Sequence, residues 1–405
     1  MTEWKIYRLG ELVRVKGGKR LPKGISLQTT PNTHPYIRIR DMGKSRVLEL
    51  DATYEYVDDV TQKSIARYVV DEGDILLSIV GTIGLVGIVG KSLHQANQTE
   101  NCVKLVNLNG IDPLFLYYYL LSPNGQDEIK RGTVGAVQAK LPIKNIENIN
   151  ISLPGLEEQR RIAGILSAID DKIENNRRIN TNLELQAQAL YKQWFVDFEF
   201  PNEDGKPYKS SGGKMVDSDL GPIPDGWNNI RFSKFCHLSN DRVGGLCVSD
   251  YSITNNGITP RGQKYTKQLS QNRAENKLLR KGNLAFGMSR DILNWGIMKD
   301  EIGAVSPAYT VYTIGDIDAT YLELYIQSHI AYFRDLIKPA AREGQSIDKG
   351  VLNNKMLYYP PKHLLRAFLA IFNSISNNFC IKENETLATL RDTLLPKLMN
   401  GEIKL

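Results

Sequence analysis

The sequence predicts an α+β protein with two repeated globular domains, each a small sheet plus a helix, held apart by two long antiparallel coiled-coil helices. Three observations predict this fold. A regular heptad series runs through residues 157–200. Segments of the first half recur in the second half after roughly 205 to 225 residues. Short apolar runs alternate with Gly, Asn and Asp in both halves, which is typical of small sheets.

The first long helix is predicted by apolar residues at alternating steps of four and three, the spacing of a coiled coil. Glu157 and Glu158 suit the first turn, and Pro201 ends the helix. A long core helix is the alternative, but roughly 60 Å of helix exceeds what one domain needs for its core. Two asparagines in the series are typical of positions that fix register. The series is Ile162, Leu166, Ile169, Ile173, Asn176, Asn180, Leu183, Ala187, Leu190 and Trp194.

The second long helix is predicted from about Lys362. Its heptad series resumes one residue out of phase after a first run. Two helices of matched length, one after each half, bury their apolar sides best against each other, and a pseudo-twofold relation makes that pairing antiparallel. The first run is Leu365, Phe368, Phe372, Ile375 and Phe379, and the second is Leu387, Leu390 and Leu394.

Both helices resemble the conserved regions of the specificity subunit of type I restriction-modification enzymes. In the first helix the resemblance lies in LPGLEEQRRIAGILSAIDDKIENNRRIN and LELQAQALYKQWFVDF. In the second helix it lies in ETLATLRDTLLPKLMNGEI, and LGPIPDGW resembles the family's entry into its second variable domain. The two globular halves therefore correspond to that family's target-recognition domains.

The internal repeat sets the domain boundaries. WKIYRLGEL at 4–12 matches WNNIRFSKF at 227–235, GDILLS at 73 matches GNLAFG at 282, and ISLPG at 151 matches LYYPP at 357. We predict target-recognition domain 1 at 1–155, conserved spacer helix 1 at 156–200, a linker at 201–226, target-recognition domain 2 at 227–360 and conserved spacer helix 2 at 361–405. The linker is rich in Gly and Pro, which is typical of an extended connection.

Within each half the apolar runs predict strands and one helix. The predicted strands are YIRIRDM at 35, ARYVV at 66, DILLSIV at 74 and NCVKLV at 101, and the helices are 112–131 and 318–337. Residues 73–90 are about as long as a membrane span, but their five glycines favour a strand, a turn and a second strand.

Composition places few limits on function. The 405 residues include 41% hydrophobic and 24% charged residues, which are globular values, and the net charge of +6 is compatible with nucleic-acid binding. Cys102, Cys236, Cys247 and Cys380 form no CxxC pair, so neither a zinc ribbon nor a disulfide framework is predicted. The polar start lacks a signal region, and we expect a cytoplasmic protein.

No catalytic motif is found in the sequence. GLVGIVGKS at 84–92 has Leu85 where a phosphate-binding loop needs glycine. Neither G-x-S-x-G nor HExxH occurs, and there is no methyl-donor loop or Asn-Pro-Pro-Tyr motif. Pro224-Asp225 with Glu275-Asn276-Lys277 has the composition of a nuclease site, but such matches arise by chance. The chain is predicted to be a DNA reader without activity of its own.

DNA reading requires cations for phosphates and amide or guanidinium groups for base edges. Arg38 and Arg40 are predicted to alternate on one face of a strand that begins with Tyr36. For the other residues, an ordinary solvated surface is the alternative. In the first half the candidates are Arg14, Lys16, Lys19, Arg20, Lys23, Tyr36, Arg38, Arg40, Arg131, Gln138 and Lys140. In the second half they are Arg242, Arg261, Lys264, Ser289, Arg290, Arg342, Gln345, Ser346 and Lys349.

Apolar clusters end both long helices and are predicted to contact a partner. The alternative is that they cap the coiled coil internally. The clusters are Trp194, Phe195 and Phe198 in the first helix and Leu394, Leu395 and Leu398 in the second.

The family resemblance implies a sequence-specific DNA-binding subunit that reads a bipartite site and docks two methyltransferase subunits and restriction (motor-nuclease) subunits. It implies no cofactor in this chain, because S-adenosylmethionine, ATP and Mg belong to those partners. Two rival functions remain open at this point. One is a stand-alone DNA methyltransferase or nuclease with unrecognised motifs, and the other is a coiled-coil assembly protein.

Overall fold

A computed structural model describes residues 4–43, 45–255, 257–262, 269–289, 292–337, 347–403 and 405. The chain divides into two compact units, Met1–Thr181 with Phe379–Leu405, and Asn182–Asn378. Both long helices contribute residues to each unit. The units therefore do not coincide with the predicted domains, since each unit combines one globular half with part of both helices.

The first unit contains a five-stranded sheet and a three-stranded sheet. The order in the larger sheet is Arg14–Gly17, Cys102–Val106, Ile75–Ser78, Val86–Val89 and Val47–Leu48, and only the last pair is parallel. The smaller sheet consists of Glu55–Tyr56, Pro35–Ile37 and Asn97–Gln98. The α-helices are Leu9–Leu12, Asp59–Ile65, Pro113–Leu121, Pro123–Gly132, Ile143–Glu147, the first part of Leu156–Tyr191, and Ile381–Met399, and 3-10 turns cover Ile39–Asp41, Ala66–Tyr68 and Lys91–Leu93.

The second unit is built around a four-stranded antiparallel sheet in the order Cys236–Leu238, Thr310–Ile314, Leu284–Ser289 and Ile292–Ile297. Further strand pairs join Tyr251–Thr254 to Gly257–Pro260, Lys277–Arg280 to Ile302–Val305, and Met215–Val216 to Ile223–Pro224. Its α-helices are the end of Leu156–Tyr191, Phe232–Phe235, Ala319–Ser328, Lys349–Asn354 and Lys362–Ser376, with a π-helical turn at Lys192–Val196 and 3-10 turns at Arg273–Glu275 and Ile330–Leu336.

The internal repeat is visible in the strand pairing of the globular halves, because in each half the first strand pairs with the last. Lys5–Arg8 pairs antiparallel with Asn150–Leu153 in the first unit, and Asn228–Arg231 pairs in the same way with Met356–Tyr359 in the second. One buried tyrosine hydroxyl donates to a carbonyl of the returning strand in each unit: Tyr119 to Asn150 at 2.6 Å, and Tyr321 to Tyr358 at 2.7 Å. The predicted repeat is therefore confirmed at the level of strand pairing.

The long helices run antiparallel within the first unit. Hydrogen bonds connect the two helices in opposite chain order. Asp170 accepts from Arg391, Asn176 donates to Glu383 and Asn384, and Asn180 accepts from the N–H of Cys380. The predicted heptad positions are buried or half-buried, as a coiled coil requires, except Leu390, which is exposed. The second helix is interrupted between Lys362–Ser376 and Ile381–Met399. This interruption accounts for its shift in heptad phase.

The segment Lys362–Met399 is by length and composition apolar enough to cross a membrane, with a mean hydropathy of 1.3 in an 18-residue window. Only 17% of that window is buried inside the structure. Ile371 and Ile381 are among its exposed residues. The helix therefore carries apolar surface that its packing within the units does not cover.

Several local predictions were wrong. The strand predicted from Tyr36 ends at Ile37, because Asp41 accepts a hydrogen bond of 2.8 Å from the N–H of Arg38 and closes a 3-10 turn. ARYVV contains a 3-10 turn, Ala66–Tyr68, instead of a strand. The helix at 112–131 breaks at Ser122, which caps a new helix beginning at Pro123.

The predicted helix at 318–337 becomes a 3-10 turn after Ser328. The linker also differs from the predicted extended chain. Phe200 stacks on Tyr208, with 4.6 Å between the ring centroids, and also on Trp227. Stacked rings and the short strand pair thus fold the linker as part of the second unit.

Candidate nucleic-acid interface

The loop after strand Arg14–Gly17 presents exposed cations on a fixed backbone. A Cβ on Gly18 would lie 2.0 Å from the carbonyl oxygen of Thr99, so only glycine allows this close approach. The N–H of Lys19 donates to the carbonyl of Gln98 at 3.1 Å. Tyr36 is buried and donates its hydroxyl to the carbonyl of Lys19 at 2.7 Å. Tyr36 therefore anchors the loop and is not placed to contact a base, contrary to the prediction.

The cations of this loop, and Lys16 in the strand before it, differ in their exposure and in the side chains that they contact. Arg20 pairs with Glu100 at 2.5 Å, and that carboxylate raises the pKa of the guanidinium. Lys19 lies over the ring of Tyr68, 5.7 Å from its centroid. Lys16 and Lys23 are exposed. Exposed ammonium groups on an ordered loop are suited to phosphate contacts, which need charge more than direction.

Arg38 and Arg40 do not form one face of a strand. Both approach the carboxylate of Glu55, and Arg40 also donates to the carbonyl of Thr53 at 3.0 Å. Two further nitrogens of Arg38, Nε and Nη2, are buried without a hydrogen-bond partner among the described residues. Arg38 is therefore part of a half-buried ion pair, and only Arg40 is exposed.

A projecting loop at 133–140 carries two of the predicted contacts, and a third lies at its base. Val134 and Lys140 exchange two backbone hydrogen bonds of 2.9 Å, and the N–H of Leu141 donates to the carbonyl of Ile79. Between these anchors Val137 is fully exposed, and Gln138 is exposed beside it. The loop is thus closed at its base and presents an amide and an apolar group at its tip.

At the base of this loop, Arg131 ends helix Pro123–Gly132 and pairs with Glu128 at 2.7 Å. Its side chain is largely exposed. Lys140 is also exposed, although its backbone closes the loop. The predicted trio of Arg131, Gln138 and Lys140 is therefore brought together on one projection of the first unit.

In the second unit, two predicted cations lie near Lys277, a residue that the sequence analysis named only as part of the nuclease-like set. Arg242 donates to the carbonyl of Glu275 at 2.8 Å, and Lys349 is exposed in the first turn of its helix. Lys277 is buried and donates to the carbonyl of Tyr309. Burial, together with the positive charges of Lys349 and Arg242, lowers the pKa of Lys277 to about 8. The three residues form a cationic cluster.

The remaining predicted residues of this unit are only partly described. Arg261 is half-exposed and donates to the hydroxyl of Ser252 at 3.3 Å. Ser289 ends strand Leu284–Ser289. Five predicted residues lie outside the described residues: Lys264, Arg290, Arg342, Gln345 and Ser346.

The nuclease-like set is not assembled as a site. Asp225 forms an ion pair of 2.8 Å with Lys214, and Lys277 is engaged with Tyr309. Within the part of the chain that the structure describes, no group of three His, Cys, Asp or Glu side chains is placed to hold a metal ion.

The apolar clusters predicted to contact a partner are buried instead. Trp194, Phe195 and Phe198 belong to the core of the second unit, where Phe195 packs on Phe368 with 4.7 Å between ring centroids. In the first unit Leu395 and Leu398 are buried and Leu394 packs against the same core. The alternative of internal packing is therefore correct for these side chains, because each globular half folds directly onto its helices.

Comparisons with known proteins identify the family of the chain. Residues 1–185 match the family model described as type I restriction modification DNA specificity domain. The type I restriction enzyme MjaIX specificity subunit of Methanocaldococcus jannaschii is 23% identical over an alignment that covers 99% of this chain and 94% of that subunit. Residues 1–185 belong to the family of type I restriction-modification DNA specificity domains, and the chain is similar to a specificity subunit over almost its full length.

Two further proteins are similar to this chain. The HindI specificity subunit of Haemophilus influenzae is 28% identical over 49% of the chain and 42% of that relative. The crystal structure of the type I S subunit from M. genitalium superimposes with a TM-score of 0.52 at 15% identity, covering 98% of this chain and 96% of that one. The second comparison shows a shared fold.

Sequence reasoning missed the polar contacts that join the first globular half of the chain to the long helices. Arg46, Tyr118, Asp170 and Arg391 form one connected network, and Gln159 forms a second anchor. No spacing rule links these residues, because they come from distant parts of the chain. Only the family resemblance of the helices pointed to their neighbourhood.

Proposed function

We propose that this specificity subunit reads a bipartite DNA site, with one target-recognition domain of each unit reading one half-site. The observation that carries this proposal is the duplication of a closed α+β domain, each copy fastened by the same strand pair to the start of a long helix. Two readers on a common helical support imply two short recognised sequences with an unspecified spacer between them.

In the first domain the proposed contacts fall into two groups. Lys19 and Lys23 on the glycine-rich loop, together with Lys16 in the strand before it, neutralise phosphates, which positions the domain without selecting a sequence. Gln138, at the tip of the projecting loop, offers the amide that pairs with adenine in the major groove. The exposed methyl groups of Val137 beside it suit the methyl group of thymine.

In the second domain, the cationic cluster of Arg242, Lys277 and Lys349 serves as a phosphate site. Its members are drawn from three separate segments and raise the positive potential at one place. Phosphate binding next to Lys277 favours its charged form and offsets the effect of burial.

We also propose that the chain has no catalytic activity and binds no cofactor of its own. The absence of catalytic sequence motifs supports this, as does the engagement of Asp225 and Lys277 with other partners. S-adenosylmethionine would then belong to methyltransferase subunits, and ATP and Mg to restriction subunits, in a complex that works in the cytoplasm.

The docking surface for methyltransferase subunits is assigned to the exposed sides of the long helices. Within the first unit, Ile165, Ile179, Ile381 and Leu390 are exposed although they are large and apolar. Exposed apolar residues on a helix pair mark an interaction surface more often than isolated surface positions do. This assignment replaces the buried aromatic cluster as the partner contact.

The test is to purify the chain alone and together with its methyltransferase, and to supply labelled S-adenosylmethionine and genomic DNA. The proposal expects no labelling by the chain alone and labelling by the complex at a two-part motif, read by methylome sequencing. Labelling by the chain alone supports a stand-alone methyltransferase. DNA affinity that does not fall with rising salt supports an assembly protein, because phosphate contacts release counterions.

A further inference from the structure

A connected polar network joins the first recognition domain to both long helices. Tyr118, on helix Pro113–Leu121, donates its hydroxyl to Asp170 of the first helix at 2.7 Å. Asp170 uses its other oxygen to accept from Arg391 of the second helix at 2.9 Å. Arg46, from the loop before strand Val47–Leu48, donates to the hydroxyl of Tyr118 at 3.3 Å. Four segments therefore meet at one carboxylate and one hydroxyl.

Arg46 adds two bonds to the first helix. It donates to the carbonyl of Ser167 at 3.2 Å and to the carboxylate of Asp171 at 2.5 Å. The side chains of Arg46 and Asp170 are mostly buried, with 16% and 12% of their surfaces exposed. A partly buried charge network of this kind is screened less by salt than a surface ion pair, and removing one member leaves others unsatisfied.

A second polar anchor lies near the start of the same helix. Gln159 is buried, and its amide oxygen accepts from the N–H of Asp112 at 2.9 Å. Its amide nitrogen donates to the carbonyls of Pro154 at 2.9 Å and Gly110 at 3.3 Å. Gln159 precedes Asp170 by three helical turns, a distance of roughly 16 Å.

Between these anchors the contact is apolar. Ile162, Ala163 and Leu166 pack into the core of the domain. Apolar contacts are non-directional and permit small rotations and shifts, whereas hydrogen bonds at two separate points define an axis. One anchor alone leaves the domain free to pivot about it.

We propose that the Arg46–Tyr118–Asp170–Arg391 network is a joint that fixes the orientation of the first recognition domain on the helix pair. Gln159 anchors the domain near the start of the first helix. The network anchors it at a second point and prevents the domain from pivoting about Gln159. Its consequence for DNA, which rests on the proposed function, is that the joint restricts the spacer length accepted between the two half-sites. These four residues are positioning residues and contact no base.

The test uses Tyr118→Phe, which removes the two hydrogen bonds of the hydroxyl, and Asp170→Asn, which removes one charge; both keep the shape of the side chain. Tyr119→Phe is the matched control, because its hydroxyl bonds Asn150 within the domain and does not reach the helices. Spin labels at the exposed positions Val60, in the domain, and Arg178, on the helix, report the domain orientation. Cys247 and Cys380 are first changed to serine so that only these two positions are labelled.

The joint is supported if the distance distribution broadens in Tyr118→Phe and Asp170→Asn but not in Tyr119→Phe. Distributions as narrow as that of the parent chain in both variants overturn it, whatever happens to stability. The assembled methyltransferase is then assayed on DNA whose spacer is one base pair longer or shorter. The ratio of methylation on the parent spacer to methylation on these spacers should fall by about tenfold, which corresponds to the loss of a hydrogen bond to a charged group.

The measurements distinguish a wrong proposal for the joint from a wrong proposed function. If the parent complex methylates no bipartite motif, the proposed function is wrong, and the spin-label distances still decide whether the joint orients the domain. If the motif is bipartite and the variants show broadened distances with unchanged spacer preference, the joint does not restrict the spacer.

Discussion

The side-chain oxygen of Asn180 accepts a hydrogen bond of 2.8 Å from the backbone N–H of Cys380. Cys380 immediately precedes helix Ile381–Met399, so Asn180 caps that helix from the neighbouring helix. Asn176, one turn earlier, donates to Glu383 and Asn384. The two asparagines of the heptad series therefore fix the register of the pair at the place where the second helix is interrupted.

Replacing Asn180 by alanine should lower the free energy of unfolding by about 1 kcal/mol, because the first turn of the capped helix loses a partner for its N–H. Thr181→Ala is the control, since that exposed hydroxyl bonds the carbonyl of Arg177 in its own helix. Urea denaturation measures both variants. Equal losses in the two variants would show that the cap contributes nothing.

Partner docking should depend on the exposed helix surface and not on the aromatic core. Ile165→Lys and Ile381→Lys should reduce co-purification with the methyltransferase while leaving the melting temperature unchanged, because both side chains are exposed. Phe195→Ala, at a fully buried position, should instead cost about 3 to 5 kcal/mol of stability. Undiminished co-purification of both lysine variants would contradict the assigned surface.

The two groups of first-domain contacts should respond differently to substitution. Gln138→Ala should impair only one half-site, by about 1 to 3 kcal/mol, since an amide that pairs with a base carries sequence information. Lys23→Ala should weaken all DNA sequences alike and reduce the salt dependence of binding. Competition binding with DNA changed in either half-site separates the two effects. Loss at both half-sites in Gln138→Ala would argue against separate reading domains.

Helix length should set the spacer without changing the bases read. An insertion near Asn180 is unsuitable, because its side chain caps the other helix. We suggest matched four-residue insertions after Glu184 and after Asn373, both exposed positions. Four residues add about 6 Å of helix, against about 3.4 Å per base pair. The preferred spacer in the methylome should lengthen by roughly one to two base pairs, and an unchanged spacer would mean that the helices do not set it.

His329 should make the second unit sensitive to acid. Its ring lies 2.9 Å from the carbonyl of Tyr325 and 3.0 Å from the hydroxyl of Tyr358, and burial lowers its pKa. Because the unfolded chain binds the proton more readily, stability is retained above the ordinary pKa of 6.5 and lost as the pH falls below it. The drop in melting temperature from pH 8 to pH 5.5 should be smaller in His329→Gln. An equal drop would assign the acid sensitivity to other groups.

The long helices and the internal repeat were predictable because both produce periodic patterns in the sequence. Heptad spacing located both helices, and the interruption near Cys380 was visible as a change of phase. The repeat matched the segments that form the closing strand pairs, WKIYRLGEL with WNNIRFSKF and ISLPG with LYYPP, but it did not predict their pairing or register. Patterns of this kind depend on many residues, so a few irregular positions do not obscure them.

The local and polar details were not predictable, because they depend on partners distant in sequence. The carboxylate of Asp41 ends a strand that alternation alone would continue, and Glu55 draws Arg38 away from any exposed face. Trp194 was predicted to contact a partner, but it packs against Phe368. The second-half loops carrying Arg290 and Gln345 lie outside the described residues, so those predictions stand as made.

The strand pair that closes each recognition domain has a consequence for how new specificities arise. Because Lys5–Arg8 lies beside Asn150–Leu153, the two ends of the first domain leave it at neighbouring points. Segments whose ends adjoin can be replaced as a unit without disturbing the remaining structure. A gene exchange with one crossover before Lys5 and another after Leu153 would therefore deliver a complete foreign reader onto an unchanged helical support. Recombination between related genes can thus change the recognised sequence in a single step.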